Sequence, residues 1–149
     1  MTVQMKQVVK RYGDLFALDH FDLEIQEGEI YGLLGPNGSG KTTAIHSILQ
    51  LLAYEKGEIF LFGEEMKPTR YDLKRRIGFV PQEVGVSEEM TVRENIDYFC
   101  GLYVEDPKKR KELVDQAIVF VELGDFEKFP PKKLCGGLKR RLNIACGIA

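Results

Sequence analysis

Little in these 149 residues suits a disulfide framework or a metal cluster. The three cysteines, Cys100, Cys135 and Cys146, are odd in number and show no CxxC spacing. That excludes a paired-cysteine scaffold and fits a reducing compartment. With only two histidines, His20 and His46, no histidine-rich metal site can be assembled. No apolar run approaches the roughly 18 residues of a membrane span. The opening MTVQMKQVVKRYGD lacks the apolar core of a secretory signal. Repeats and low-complexity tracts are missing as well. A net charge of −2 gives no general attraction to nucleic acid, so no nucleic-acid partner is expected. The basic run at 108–111 follows Pro107 and reads as the solvated start of an amphipathic helix rather than a polyanion patch.

What is present is an ordinary globular composition, 44% hydrophobic and 30% charged, at a length that suits one domain with a core. Phe21, Leu23 and Ile25 alternate with Asp22 and Glu24, the period of a half-buried, antiparallel strand. Residues 30–34 (IYGLL) are almost continuously apolar, as in a strand buried on both faces, and 59–62 and 77–80 are two more such runs. Helical spacing then takes over. Ile45, Ile48, Leu49 and Leu52 form one stripe. Thr91 and Glu94 form a capping box ahead of Val92, Ile96, Phe99 and Tyr103. Pro107 suits the first turn of a helix burying Leu113, Ala117, Phe120 and Val121. A last stripe holds Leu138, Leu142, Ala145 and Ala149. The pattern predicts an α/β core over 1–90 and a helical part over 91–149.

Residues 35–42 read GPNGSGKT, a full match to G-x-x-x-x-G-K-[ST], placed between an apolar run and an amphipathic helix. A triphosphate needs several backbone N–H groups aimed at one spot. Gly35, Gly38 and Gly40 let the chain wrap closely, with Pro36, Asn37 and Ser39 between them. A helix starting near Lys41 adds amides and partial positive charge, to which Thr43 also contributes. Lys41 reaches the β- and γ-phosphates, and the Thr42 hydroxyl ligates Mg²⁺. By residue frequencies alone the pattern arises in roughly one in 200 chains of this length. ATP with Mg²⁺ is the expected ligand.

The order of motifs narrows this further. ALDHFDLEIQEGEIYGLLGPNGSGKTTAIHSIL, IGFVPQEVGVSEEMTVRENI and KKLCGGLKRRLNIACGIA together resemble the ATP-binding cassette (ABC) family, specifically a transporter's ATP-binding subunit. The resemblance runs through nearly the whole chain. It implies a P-loop core of N-terminal antiparallel strands plus a partial parallel sheet, with a helical subdomain. It makes Tyr12 the adenine-stacking aromatic and Gln82 the Q-loop residue that contacts Mg²⁺ and its water. Cys135, Gly136, Gly137 and Leu138 stand where the family's signature reaches the γ-phosphate of a second cassette. There the usual serine hydroxyl is replaced by a thiol, a poorer donor. The implied partners are a transmembrane permease subunit and a second nucleotide-binding domain. The implied location is the cytoplasmic face of the membrane, held peripherally. The sequence around 138–141 looks most like drug-type exporters.

In the family, a strand ending Asp-Glu and a later histidine follow the signature helix and drive hydrolysis. No counterpart occurs before Ala149, so the domain is expected to be incomplete at its C-terminus. No catalytic residue is expected within the chain, which alone should bind ATP, hydrolyse it negligibly and be poorly stable. A non-transport ABC ATPase and a non-hydrolysing nucleotide-binding module remain open beside the transporter reading.

Overall fold

A computed structural model describes residues 1–149. They form two compact units, Met1–Arg76 and Ile77–Ala149.

The first unit is built on an antiparallel sheet in the order β2-β1-β3-β4, from β1 (Val3–Tyr12), β2 (Leu15–Ile25), β3 (Lys56–Leu61) and β4 (Glu64–Glu65). The alternation at 21–25 holds: Leu23 is buried opposite Met5, while Asp22 and Glu24 face out. A bulge interrupts β1, where Gln7 takes a positive φ of 49°. The backbone N–H that leaves the ladder there is not lost, because it donates to the Asp22 carboxylate at 2.8 Å. The shift places both Val8 and Val9 in the core beside Met5, Leu18, Ile59 and Leu61. Helices α1 (Lys41–Ile48) and α2 (Tyr71–Lys74) complete the unit.

Several expectations fail here. The runs 30–34 and 77–80 form no ladder, and every strand pairing is antiparallel, so the parallel strands expected there are not made. A strand buried on both faces exists only if neighbours supply hydrogen bonds along its edges. No segment does so, and Ile30 and Leu34 stand open to solvent. The run at 59–62 ends one residue early, since Phe62 turns into a positive φ of 54°. Helix α1 stops at Ile48 and buries Ala44 and Ser47, leaving Ile45 exposed.

The second unit packs α3 (Val92–Gly101), α4 (Pro107–Phe120) and α5 (Gly136–Ile148) around Val92, Ile96, Cys100, Val114, Ala117, Ile118, Leu142 and Ala145. Each large aliphatic side chain buried this way contributes about 1.5–3 kcal/mol. The capping box is formed: Glu94 N–H donates to Thr91 Oγ1 at 3.2 Å, and Thr91 N–H donates to the Glu94 carboxylate at 2.7 Å. The Thr91 N–H and hydroxyl, both donating to the Glu94 carboxylate, hold it below its usual range. Pro107 opens α4 behind an Asp106 cap, as its fixed φ favours. Two stripe residues are misplaced. Tyr103 lies beyond the end of α3, and Phe120, the last residue of α4, is 73% exposed. Their places in the core go to Cys100 and Ile118.

Candidate nucleotide site

The loop 35–42 passes directly into α1. Gly40, the residue before the helix, has φ 87° and ψ 0°, a left-handed conformation open to glycine at little cost. Gly38 repeats it at φ 83°. Ser39 N–H donates to the Pro36 carbonyl at 3.2 Å, closing a turn within the loop. No side chain caps α1 and no acid sits in its first turn. Its leading amides, which an α-helix cannot satisfy internally, therefore face no competing carboxylate.

Lys41 Nζ donates to the carbonyls of Gly35 and Pro36, each at 2.7 Å, and lies 3.4 Å from Ser39 Oγ. The ammonium thus sits within its own loop and holds the ends of the curl together. Thr42, one residue on, is exposed on the first turn of α1. A glycine-rich curl, an uncapped helix start, an ammonium and a hydroxyl form a donor set that fits a polyphosphate and the cation it carries. No group of three or more His, Cys, Asp or Glu side chains gathers to hold a metal by itself.

On the β2 side of the loop a cavity of about 250 Å³ is lined by Leu18, Phe21, Leu33, Leu34, Lys41 and Ala44, with loop residues between them. Its walls are chiefly aliphatic and aromatic and do not suit a phosphate. The polar chemistry belongs to the loop amides and Lys41.

Tyr12 ends β1 at the tip of the β1–β2 hairpin, paired with Leu15 and 51% exposed. The ammonium of Lys10 lies 5.5 Å from its ring centre. The ring is therefore presented at the surface of the same unit as the loop.

The remaining predicted residues belong to the second unit. Gln82 is exposed in the irregular stretch before α3. Cys135 caps the start of α5 with an extended backbone, and its exposed thiol makes no capping bond. Gly136 and Gly137 open the helix with clear space around both α-carbons. Leu138 turns inward against the helical core. Nothing in the residue pattern pointed to what Arg140 and Asn143 do: both donate to main-chain oxygens at 81–83. Polar residues on a helix carry no signal of backbone acceptors some 60 positions away.

No helix is long and apolar enough to cross a membrane. Comparison with known proteins agrees with the geometry. The family model described as "ABC transporter" matches residues 18–149. The Nod factor export ATP-binding protein I of Burkholderia thailandensis is 36% identical over 143 residues, covering 96% of this chain and 47% of that protein. The daunorubicin resistance ATP-binding protein DrrA3 of Streptomyces coeruleorubidus is 33% identical over 139 residues, covering 93% of this chain and 44% of that protein. The chain thus spans under half the length of either relative. Among solved structures, the dimeric post-hydrolysis state of the ATP-binding cassette MJ0796 bound to ADP and Pi superposes with a TM-score of 0.82 at 28% identity. That match covers 99% of this chain and 69% of the other. The α/β cassette fold, the loop and the relatives agree, and the chain belongs to the ABC transporter family, in the line of its ATP-binding subunits.

Proposed function

We propose that residues 1–149 are the ATP- and Mg²⁺-binding part of a transporter's ATP-binding subunit, the intact protein coupling ATP hydrolysis to movement of a substrate. The observation that carries this is the 35–42 loop, with its left-handed glycines, uncapped helix start and inward lysine. On binding, Lys41 exchanges two carbonyl partners for β- and γ-phosphate oxygens, while the α1 amides take up the remaining charge. Thr42 offers its hydroxyl to Mg²⁺, and Gln82 is assigned as a further contact by the family resemblance. Bound there, Mg²⁺ would supply positive charge against that of the phosphates. Tyr12 stacks on the adenine.

The work of nucleotide binding is assigned to 1–90 and that of the signature to 91–149. Residues 135–138 act in trans on a second cassette, a reading supported by the dimeric state of the solved relative. A membrane-spanning permease is the second partner, which places the subunit peripherally on the cytoplasmic face.

Titration with a fluorescent ATP analogue tests the reading. Lys41→Ala is expected to weaken binding at least about tenfold, the scale of one charge-assisted hydrogen bond. Equal affinity in the variant would remove the loop from the site.

A further inference from the structure

The stretch leading to and past Gln82 is seated along helix α5, contact by contact and in opposite direction. At one end Gly78 lies so close to the end of the helix that a β-carbon on it would stand 2.4 Å from the Gly147 carbonyl oxygen. In the middle, the Pro81 carbonyl accepts from Arg140 at 2.7 Å and from Asn143 at 3.0 Å. The Gln82 carbonyl accepts from Arg140 at 3.0 Å, and that of Glu83 from Asn143 at 3.5 Å. Toward the helix start, Lys139 donates to the Glu88 carboxylate at 2.8 Å. Just beyond, Asn95 of α3 accepts from Ser87 N–H at 2.8 Å and donates to the carbonyls of Ser87 and Met90.

Three features make this more than a packed loop. Pro81 has no N–H, so its carbonyl is its only polar main-chain group, and both lone pairs are engaged. Asn143 is only 4% exposed, so its amide has little access to water in exchange. Arg140 presents two hydrogens of one terminal nitrogen to successive carbonyls, which the single ammonium of a lysine reproduces less well.

We infer that Arg140 and Asn143 are positioning residues that fasten the Gln82 segment to α5, so that residues 78–88 and the signature turn at 135–138 move as one piece. The inference rests on the proposed ATP-dependent function and adds to it the residues that join its two motifs. Movement imposed on the segment by a membrane partner would reach the signature through these bonds, and movement of the signature would displace Gln82.

The test uses the intact protein and the variants Arg140→Met, Arg140→Lys, Asn143→Ala and Lys41→Ala. Its readouts are steady-state ATP hydrolysis with Mg²⁺, cleavage after Glu83 by a glutamyl endoprotease, and the melting midpoint. Arg140→Met is expected to lower kcat about tenfold with KM for ATP within about twofold, and to speed cleavage after Glu83 about tenfold. Asn143→Ala is expected to follow it, and Arg140→Lys to recover part of both effects. Wild-type kcat and cleavage in Arg140→Met overturn the inference. So does a loss of kcat that follows a fallen melting midpoint and is not recovered by lysine. Absence of ATP binding in the wild type, or wild-type KM in Lys41→Ala, instead removes the functional reading, while cleavage after Glu83 still decides whether the segment is fastened.

Discussion

The Ala17 carbonyl oxygen occupies the place where Gly40 would carry a side chain: a β-carbon built there stands 2.2 Å away. Strand β2 and the start of helix α1 therefore meet through bare backbone, and the phosphate loop is braced against the sheet. Gly40→Ala meets both this clash and a φ of 87°. It is expected to weaken nucleotide binding and lower the melting midpoint together, because the loop can accept a methyl group only by leaving β2. Unchanged binding and midpoint in that variant would show that the brace is dispensable.

Tyr12 gives a prediction that separates base from phosphate. Tyr12→Ala is expected to cost about 1–3 kcal/mol in ATP affinity, roughly fivefold to 150-fold, the range of base–aromatic stacking. Tyr12→Phe keeps the ring and is expected to bind as wild type. Inorganic tripolyphosphate, which has no base, should bind all three alike. A loss of tripolyphosphate affinity in Tyr12→Ala would assign Tyr12 to the loop's architecture instead.

The three thiols are expected to differ sharply in reactivity. Burial pushes Cys146 up to about 12, leaving roughly one thiolate in ten thousand at pH 8. Cys100 is buried and raised for the same first reason, desolvation. Cys135 is exposed at the start of α5. Native protein treated with iodoacetamide at pH 8 should be alkylated at Cys135 alone, and denatured protein at all three. Native labelling of Cys100 at the Cys135 rate would contradict the helical core described here.

Asp72 supplies a pH signature for the first unit. Arg70 donates to both its carboxylate oxygens, through Nε at 2.8 Å and a terminal nitrogen at 2.6 Å, and this pair holds the carboxyl down at about 2. For a depressed carboxyl the stabilising contribution is complete above its unfolded value. It is lost as pH falls through the folded one, here between about pH 4 and pH 2. The carbon chemical shift of Asp72 is expected to titrate near the bottom of that window. In Arg70→Met it should return to the ordinary range. An ordinary midpoint in the wild type would mean the pair does not persist in solution.

What could be read from the sequence was local. The loop at 35–42, the capping box of Thr91 and Glu94 and the opening proline of α4 each depend on residues within a turn of one another, and all are formed. The runs at 30–34 and 77–80 look like strands because of their composition, but a strand is defined by partners elsewhere, which composition cannot report. The stripe of α5 held from Leu138 to Ala149, whereas those of α3 and α4 each lost one residue near the C-terminal end. Helix α3 stops at Gly101, so the period that pointed to Tyr103 no longer applies there. The bonds from Arg140 were invisible because their acceptors are main-chain oxygens, identical at every residue.

The Pro81 carbonyl, taken by two donors from successive turns of one helix, has an evolutionary consequence. Loss of either donor loosens the segment and lowers turnover while the other keeps part of the hold, so a lineage can pass through the loss of one only at that cost. It cannot pass through the loss of both. Among descendants of this sequence, the constraint should be recorded as correlated replacement at positions 140 and 143, each site varying only while its neighbour keeps a donor.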